Sequence, residues 1–326
     1  MKSARKFARK TARAERVSSA AKKSRWPRTV SGRPPARNID HLVLPVESLE
    51  VARKRLTALG FTVAPDAVHP FGTENACVFL ADGAYLEPLA VHQREDCEAA
   101  ARKGNIFVAR DQAYRFRRSE NGFSAVAFST GDAKSDAKAF AKAGLSAGNI
   151  LKFSRMFEDR KGNKAKGEFA LAFAGDLRAP DAFFFTTQRL NVPAIDRTAL
   201  QRHKNGATGL REVFAGEANP SDFQYWLQEV TGVRDVNAHS FGIEIATPNA
   251  NVAVYSAAGI EAFYGVKGNV HGRGLRLQGA LVAVRNIDKT EALLRQNGVV
   301  FVRHGRRLVV PPAPGQGFIL AFEAAK

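Results

Sequence analysis

A chain of 326 residues that is 45% hydrophobic can bury a substantial core, and its length suits two or three domains of ~100–200 residues each. No apolar run approaches the ~20 residues of a membrane-spanning helix, so no membrane span is expected. The net charge of +18 is concentrated at one end: residues 1–37 hold thirteen Lys/Arg against one acid, Glu15.

That basic segment carries almost no large apolar residues and cannot build a core, so it is expected to be a disordered tail. It reads as a solvated extension from a misassigned start, as an arm touching nucleic acid or an anionic surface by charge, or as a transit-like targeting segment. The two cysteines, Cys77 and Cys97, make no disulfide framework or zinc site and fit a reducing, cytoplasmic setting.

The folded part opens with IDHLVLPV, a strand. SLEVARKRLTALG follows as a helix, and FTVAPDAVHPFGTENACVFL and AYLEPLAV supply three more strands. Residues 93–120 read as a polar connector. A second unit repeats the order: GFSAVAFST, the helix DAKSDAKAFAKAGL, then NILKFSRMFED, EFALAFAGD and APDAFFFTTQ, with RKGNKAK as a charged hairpin tip. After a linker at 191–207, a third unit begins at GLREVFAG. Its helix, PSDFQYWLQEVTG, has Pro220 in its first turn and Gly232 at its end. The fourth runs from LRLQGALVAV through DKTEALLRQNG and a hairpin turning at His304-Gly305 to GFILAFEAA. The four helices end at Gly60, Gly144, Gly232 and Gly298, as glycine-capped helices do. The chain is therefore α+β, built from four βαβββ modules.

Two polar residues interrupt apolar strands. By strand alternation, His41 shares a face with Val43 and Pro45, and Glu87 with Tyr85 and Leu89. A carboxylate in so apolar a strand needs a partner, because burying it alone is very costly. A metal ion shared with a histidine would serve, and so would an arginine such as Arg155, which itself sits in an apolar strand. His69, Thr73 and Asn75 fall in a turn entering a strand, and turn chemistry alone explains the Gly-Thr pair. His203 lies in the loop RHKNGA, where an exposed histidine is the ordinary reading. The remaining histidines read as incidental. No Ser-His-Asp, Cys-His or P-loop arrangement is present.

The four modules, with DHLVLPV, ALGF, HPFGTENACVFLADGAYLEPLAV, FSR at Ser154-Arg155 and RHKNGATGLREV, resemble the vicinal oxygen chelate (VOC) superfamily, and within it the glyoxalase-like-domain proteins. The resemblance covers residues 38–326. It implies that modules pair into two cups: a glyoxalase-like domain at 38–190 and a second, degenerate cup at 208–326. It also implies a divalent metal (zinc, iron, nickel or manganese) in the first cup. His41 and Glu87 would be ligands and His203 a third, with His69 the other candidate; Glu87 would double as a catalytic proton carrier. His69, Thr73, Asn75 and Arg155 would line the substrate site. The positions matching a second ligand pair, near Ser124 and Phe183–Phe185, offer no ligand. Glu212 and Glu323 fall near ligand positions of the second cup without a histidine.

The expected function is a metal-dependent lyase, isomerase or oxygenase acting on a small oxygen-rich molecule. The alternative is a metal-free protein of the same fold that sequesters a small ligand. A homodimer is compatible with either.

Overall fold

The structure, a computed structural model, describes residues 35–158, 164–193 and 196–325. The basic tail up to residue 34 and part of the RKGNKAK tip lie outside the described residues. Arg37, counted above with the tail, belongs to the folded body. It is 3% exposed, pairs with Asp136 at 2.6 Å and donates to the Val230 carbonyl at 2.9 Å.

The first module comprises β1 (Ile39–Pro45), α1 (Leu49–Ala58), β2 (Ala67–Val68), β3 (Thr73–Asn75), β4 (Val78–Phe79) and β5 (Tyr85–Val91). The second comprises β6 (Ala125–Ser129), α4 (Ala133–Lys142), β7 (Leu151–Glu158), β8 (Lys164–Ala174) and β9 (Phe183–Arg189). Between them stand α2 (Arg94–Arg102) and α3 (Ile106–Arg117). The third module has β10 (Ala207–Gly216), a 3-10 turn over Pro220–Phe223 leading into α5 (Gln224–Thr231), β11 (Asn237–His239), β12 (Gly242–Ala246) and β13 (Asn251–Tyr255). Then α6 (Ala257–Tyr264) leads to the fourth: β14 (Arg276–Val284), α7 (Ile287–Gln296), β15 (Val302–His304), β16 (Arg307–Val310) and β17 (Ile319–Ala324).

The modules pair in the same way twice. The first sheet runs β2-β3-β5-β1-β6-β9-β8-β7, with β4 on β5, and the second runs β11-β12-β13-β10-β14-β17-β16-β15. In each, the first strands of two modules lie antiparallel at the centre, β1 on β6 and β10 on β14. The sheets curl into two cups. Ser48 caps α1 by accepting from the Val51 N–H, and the helix stops at Gly60, whose φ of 86° suits glycine. A side chain at Gly60 would also collide with Asn205 and Leu293, which press on this turn from the other half of the chain.

Residues 93–120 correct the reading as a polar connector. They form α2 and α3, which put Cys97, Phe107 and Val108 against Val43, Leu89, Phe173 and Phe185 on the concave face of the first sheet. The second cup is filled from the same point in its sequence. There α6 inserts Ile260 and Tyr264, and the Tyr264 ring stacks on Phe214 at 4.0 Å. The opposite, helix-bearing faces of the two sheets share one core. Phe184 meets Trp226 at 4.6 Å, Phe123 meets Phe318 at 5.7 Å and Phe61 meets Phe322 at 5.9 Å. Among the described residues, no helix is long and apolar enough to cross a membrane.

Candidate functional site

The α2–α3 plug leaves one end of the first cup open as a small pocket. It is lined by His41, His69, Tyr85, Glu87, Arg155 and Thr187 within a wall of phenylalanines. Its floor follows from strand pairing. In the parallel β1–β5 ladder, His41 lies opposite Tyr85 and Val43 opposite Glu87, which puts both polar side chains on the concave face one step apart. Asn75 pairs with Leu89 and Val78 with Leu86, so the break between β3 and β4 faces Glu87 and Pro88. Proline supplies no N–H to continue that ladder.

The polar groups converge on Glu87, which is 5% exposed. His41 Nε2 lies 3.4 Å from Oε2 and His69 Nε2 lies 3.8 Å from Oε1. The Asn75 amide donates to Oε1 at 2.5 Å and stands 3.3 Å from His69 Nε2. Each imidazole is held from behind. His41 Nδ1 contacts Asp40 Oδ1 at 2.7 Å, and His69 Nδ1 contacts Thr73 Oγ1 at 2.9 Å. Asp40 is clamped in turn by both guanidinium nitrogens of Arg189, at 2.5 and 2.8 Å. Adjacent strand residues ordinarily point to opposite faces. A register break between Ile39 and His41 lets Asp40 reach its neighbour's ring.

The rings are fixed by stacking, His41 on Tyr85 at 4.5 Å and His69 on Phe71 at 5.0 Å. Burial, the Arg155 charge and His41 push the His69 pKa down to about 3, so His69 is a neutral imidazole. Burial alone would raise the Asp40 pKa, but the hydrogen bond and charge of His41 together with Arg189 bring it below the usual carboxylate value. Tyr85 is pushed well above its ordinary pKa by burial and the nearby Asp40 and Glu87 charges, and so remains a phenol. The Arg155 guanidinium lies over the Phe169 ring at 5.7 Å.

Five of the residues singled out from sequence thus meet here: His41, Glu87, His69, Asn75 and Arg155, with Thr73 directly behind. His203 does not join them. Its Nε2 contacts the Phe79 carbonyl at 2.9 Å, its Nδ1 accepts from the Thr62 N–H at 3.0 Å, and its ring packs on Phe61 in the helix-side core. With both nitrogens engaged on the far face of the sheet, it has no lone pair for this pocket. Besides Arg155 and Thr187, the second-module half of the cup contributes Ala125, Ala127, Phe183 and Phe185, an apolar wall. Sequence reading missed Asp40, Arg189, Phe107 and Phe153, and named Tyr85 only as sharing a face with Glu87. Only Asp40 carried a signal, as an acid beside His41 in an apolar strand.

In the second cup, Glu212 accepts from Tyr264 at 2.6 Å and Glu323 from Arg307 at 3.1 Å, so both acids are spent on the α6 plug and its edge.

Among the described residues, no group of three or more His, Cys, Asp or Glu side chains is arranged to hold a metal ion. In kind, the donors of the first cup fit one: two imidazoles whose Nε2 atoms face a shared carboxylate, each anchored through Nδ1 by an outer partner. The arrangement is closed around the Asn75 amide, which occupies Oε1.

The paired βαβββ modules and the curled sheets are those of the vicinal oxygen chelate superfamily. Residues 39–231 match the Glyoxalase-like domain, and the chain belongs to that family. A search of curated proteins gives no match. Among solved structures, a hypothetical protein from Staphylococcus aureus is similar over 88% of this chain and 99% of its own, at 13% identity and a TM-score of 0.61. A triple mutant of 4-hydroxymandelate synthase from Streptomyces coelicolor covers 90% of this chain and 94% of its own, at 13% identity and 0.53. A xylose isomerase-like TIM barrel/4-hydroxyphenylpyruvate dioxygenase fusion protein covers 91% of this chain with half of its own, at 10% identity and 0.50. These likenesses are of fold.

Proposed function

We propose that the first cup is the active site of a glyoxalase-like enzyme, a lyase, isomerase or oxygenase acting on a small oxygen-rich molecule. His41, His69 and Glu87 would hold a divalent metal. The observation that carries this reading is the convergence of two Nε2 atoms on the two oxygens of one buried carboxylate. When bound, such an ion supplies Lewis acidity to adjacent substrate oxygens. The chain's own groups do the rest. Glu87 is the one carboxylate lining the pocket and can take or return a proton at Oε2. His69 stays neutral and orients without adding charge. Arg155 holds an anionic substrate group. Phe71, Phe107 and Phe153 keep water out and lie against the carbon skeleton.

The pocket is open at one end and has a volume of about 40 Å³. Elemental analysis of untagged protein tests the reading. Wild type loaded with zinc, nickel, iron or manganese retains one equivalent, while His41→Ala and His69→Ala lose it and His203→Ala keeps it. No retained metal in wild type sinks it.

A second reading, a metal-free pocket that sequesters a small ligand, is favoured by one contact: the Asn75 amide already satisfies Glu87 at 2.5 Å. In that case Asn75→Ala abolishes ligand binding and metal has no effect on it.

A further inference from the structure

We propose that a cleft between the two cups binds a small organic anion, a phosphate or carboxylate on an apolar body. The cleft has a volume of about 460 Å³, within the range of small-molecule sites, and such sites favour junctions between structural units. It shares no lining residue with the pocket around Glu87. Its floor is apolar, with Phe123, Leu277 and Ile319, and its walls carry Arg118, Lys267 and Arg276.

The charge in this cleft is unbalanced. One carboxylate, Asp181, 6% exposed, faces three guanidiniums: Arg117 at 2.7 Å, Arg118 at 3.6 Å and Arg276 at 4.0 Å. Only Arg117 lies at hydrogen-bonding distance; Arg118 and Arg276 share the same carboxylate as longer ion pairs, so one negative charge answers three positive ones. Lys267 adds a further cation to the cleft wall. Burial and the neighbouring Arg118 charge lower the Arg276 pKa, as expected where like charges are held together. The loop bearing Lys267 is braced, because the Gln278 amide bonds Asn269 through both its N–H and its carbonyl. Partly buried guanidiniums held together at a preformed cavity are costly unless an anion completes them. An anionic head on the arginines with its carbon body on Phe123 and Leu277 satisfies both halves of the cleft.

Calorimetric titration of the full chain with phenyl phosphate, and separately with benzoate, tests this and distinguishes the two head groups. One saturable site is expected for at least one probe, weakened roughly tenfold or more in Arg276→Gln, since a charge-assisted contact is lost. Arg155→Gln should leave it unchanged, which separates the cleft from the pocket around Glu87. No saturable binding of either probe overturns the proposal. So does equal affinity in Arg276→Gln, which assigns the binding to charge elsewhere, and so does loss of the site in Arg155→Gln. If Arg276→Gln does not fold, Lys267→Glu at an exposed position serves instead: abolished binding supports the site, and unchanged affinity overturns it.

Discussion

Asp40 and His41 are neighbours in sequence and hydrogen-bonded to each other, Oδ1 to Nδ1 at 2.7 Å, across a break in strand register. The contact sets the ring: Nδ1 faces the carboxylate and Nε2 faces Glu87.

Asp40→Asn should loosen this hold. Outer partners of metal-bound histidines are worth roughly ten- to a hundredfold in affinity. Metal uptake by the variant, measured against a chelator, should fall by that order while His41 remains in place. The same residue makes an acid-side prediction. The Asp40 pKa is lowered in the fold, so its stabilisation is present above the ordinary carboxylate value of about 3.9 and lost as pH falls through the lowered one. Below pH about 4 the melting temperature of Asp40→Asn should therefore fall less steeply than that of wild type.

His69 acts in a different pH window. Its pKa is about 3 in the fold against 6.5 ordinarily, so the unfolded chain binds the extra proton between those values. Stability tied to His69 is complete above pH about 6.5 and drains as pH falls toward 3, by up to about 1.4 kcal/mol per unit. Urea midpoints at pH 7.5 and 4.5 should lie closer together in His69→Gln than in wild type. Equal separation would show that His69 does not titrate this way.

His203→Ala should separate structure from site. Both ring nitrogens have backbone partners, and leaving those groups unsatisfied costs about 1–3 kcal/mol each. The variant should unfold at lower urea with pocket properties intact. A change in metal content at constant stability would return His203 to the site.

Phe153 stacks on Phe169 at 5.1 Å and meets His69 edge-on at 6.0 Å. Phe153→Ala should enlarge the pocket at a stability cost of roughly 3 kcal/mol. Binding of bulkier aromatic acids should improve relative to small ones, read by competition in the variant and the wild type.

Much of the fold was legible. The glycines ending α1, α4, α5 and α7 have φ of 86°, 73°, 73° and 65°, and this repeated stop marked out the four modules. Strand alternation places His41 and Glu87 each among the apolar residues of its own strand, and the run Phe183–Phe185 marks the second half as lacking a ligand; that His41 and Glu87 share a face rests on the β1–β5 register, which no local pattern encodes. The plugs were hidden. In α2 the buried side chain is Cys97 alone, so REDCEAAAR reads as surface. In α6, Tyr264 becomes a core residue only once a curled sheet stands around it. The choice between His69 and His203 turns on which face of a sheet each loop returns to. Neither local pattern nor spacing encodes that. The Asp40–Arg189 clamp joins residues 149 positions apart, a pairing that no local pattern encodes.

The core shared by the two cups bears on where this molecule can be divided. The family match ends at residue 231, well past the last strand of the first cup and at the end of α5. Trp226 of that helix lies against Phe184 of the first sheet, and its last turn receives Arg37. A fragment cut at the 191–207 linker would lose this cover and expose Phe184 and its neighbours to water. The first cup therefore borrows a helix from the second half of the chain, and the two halves are joined in folding.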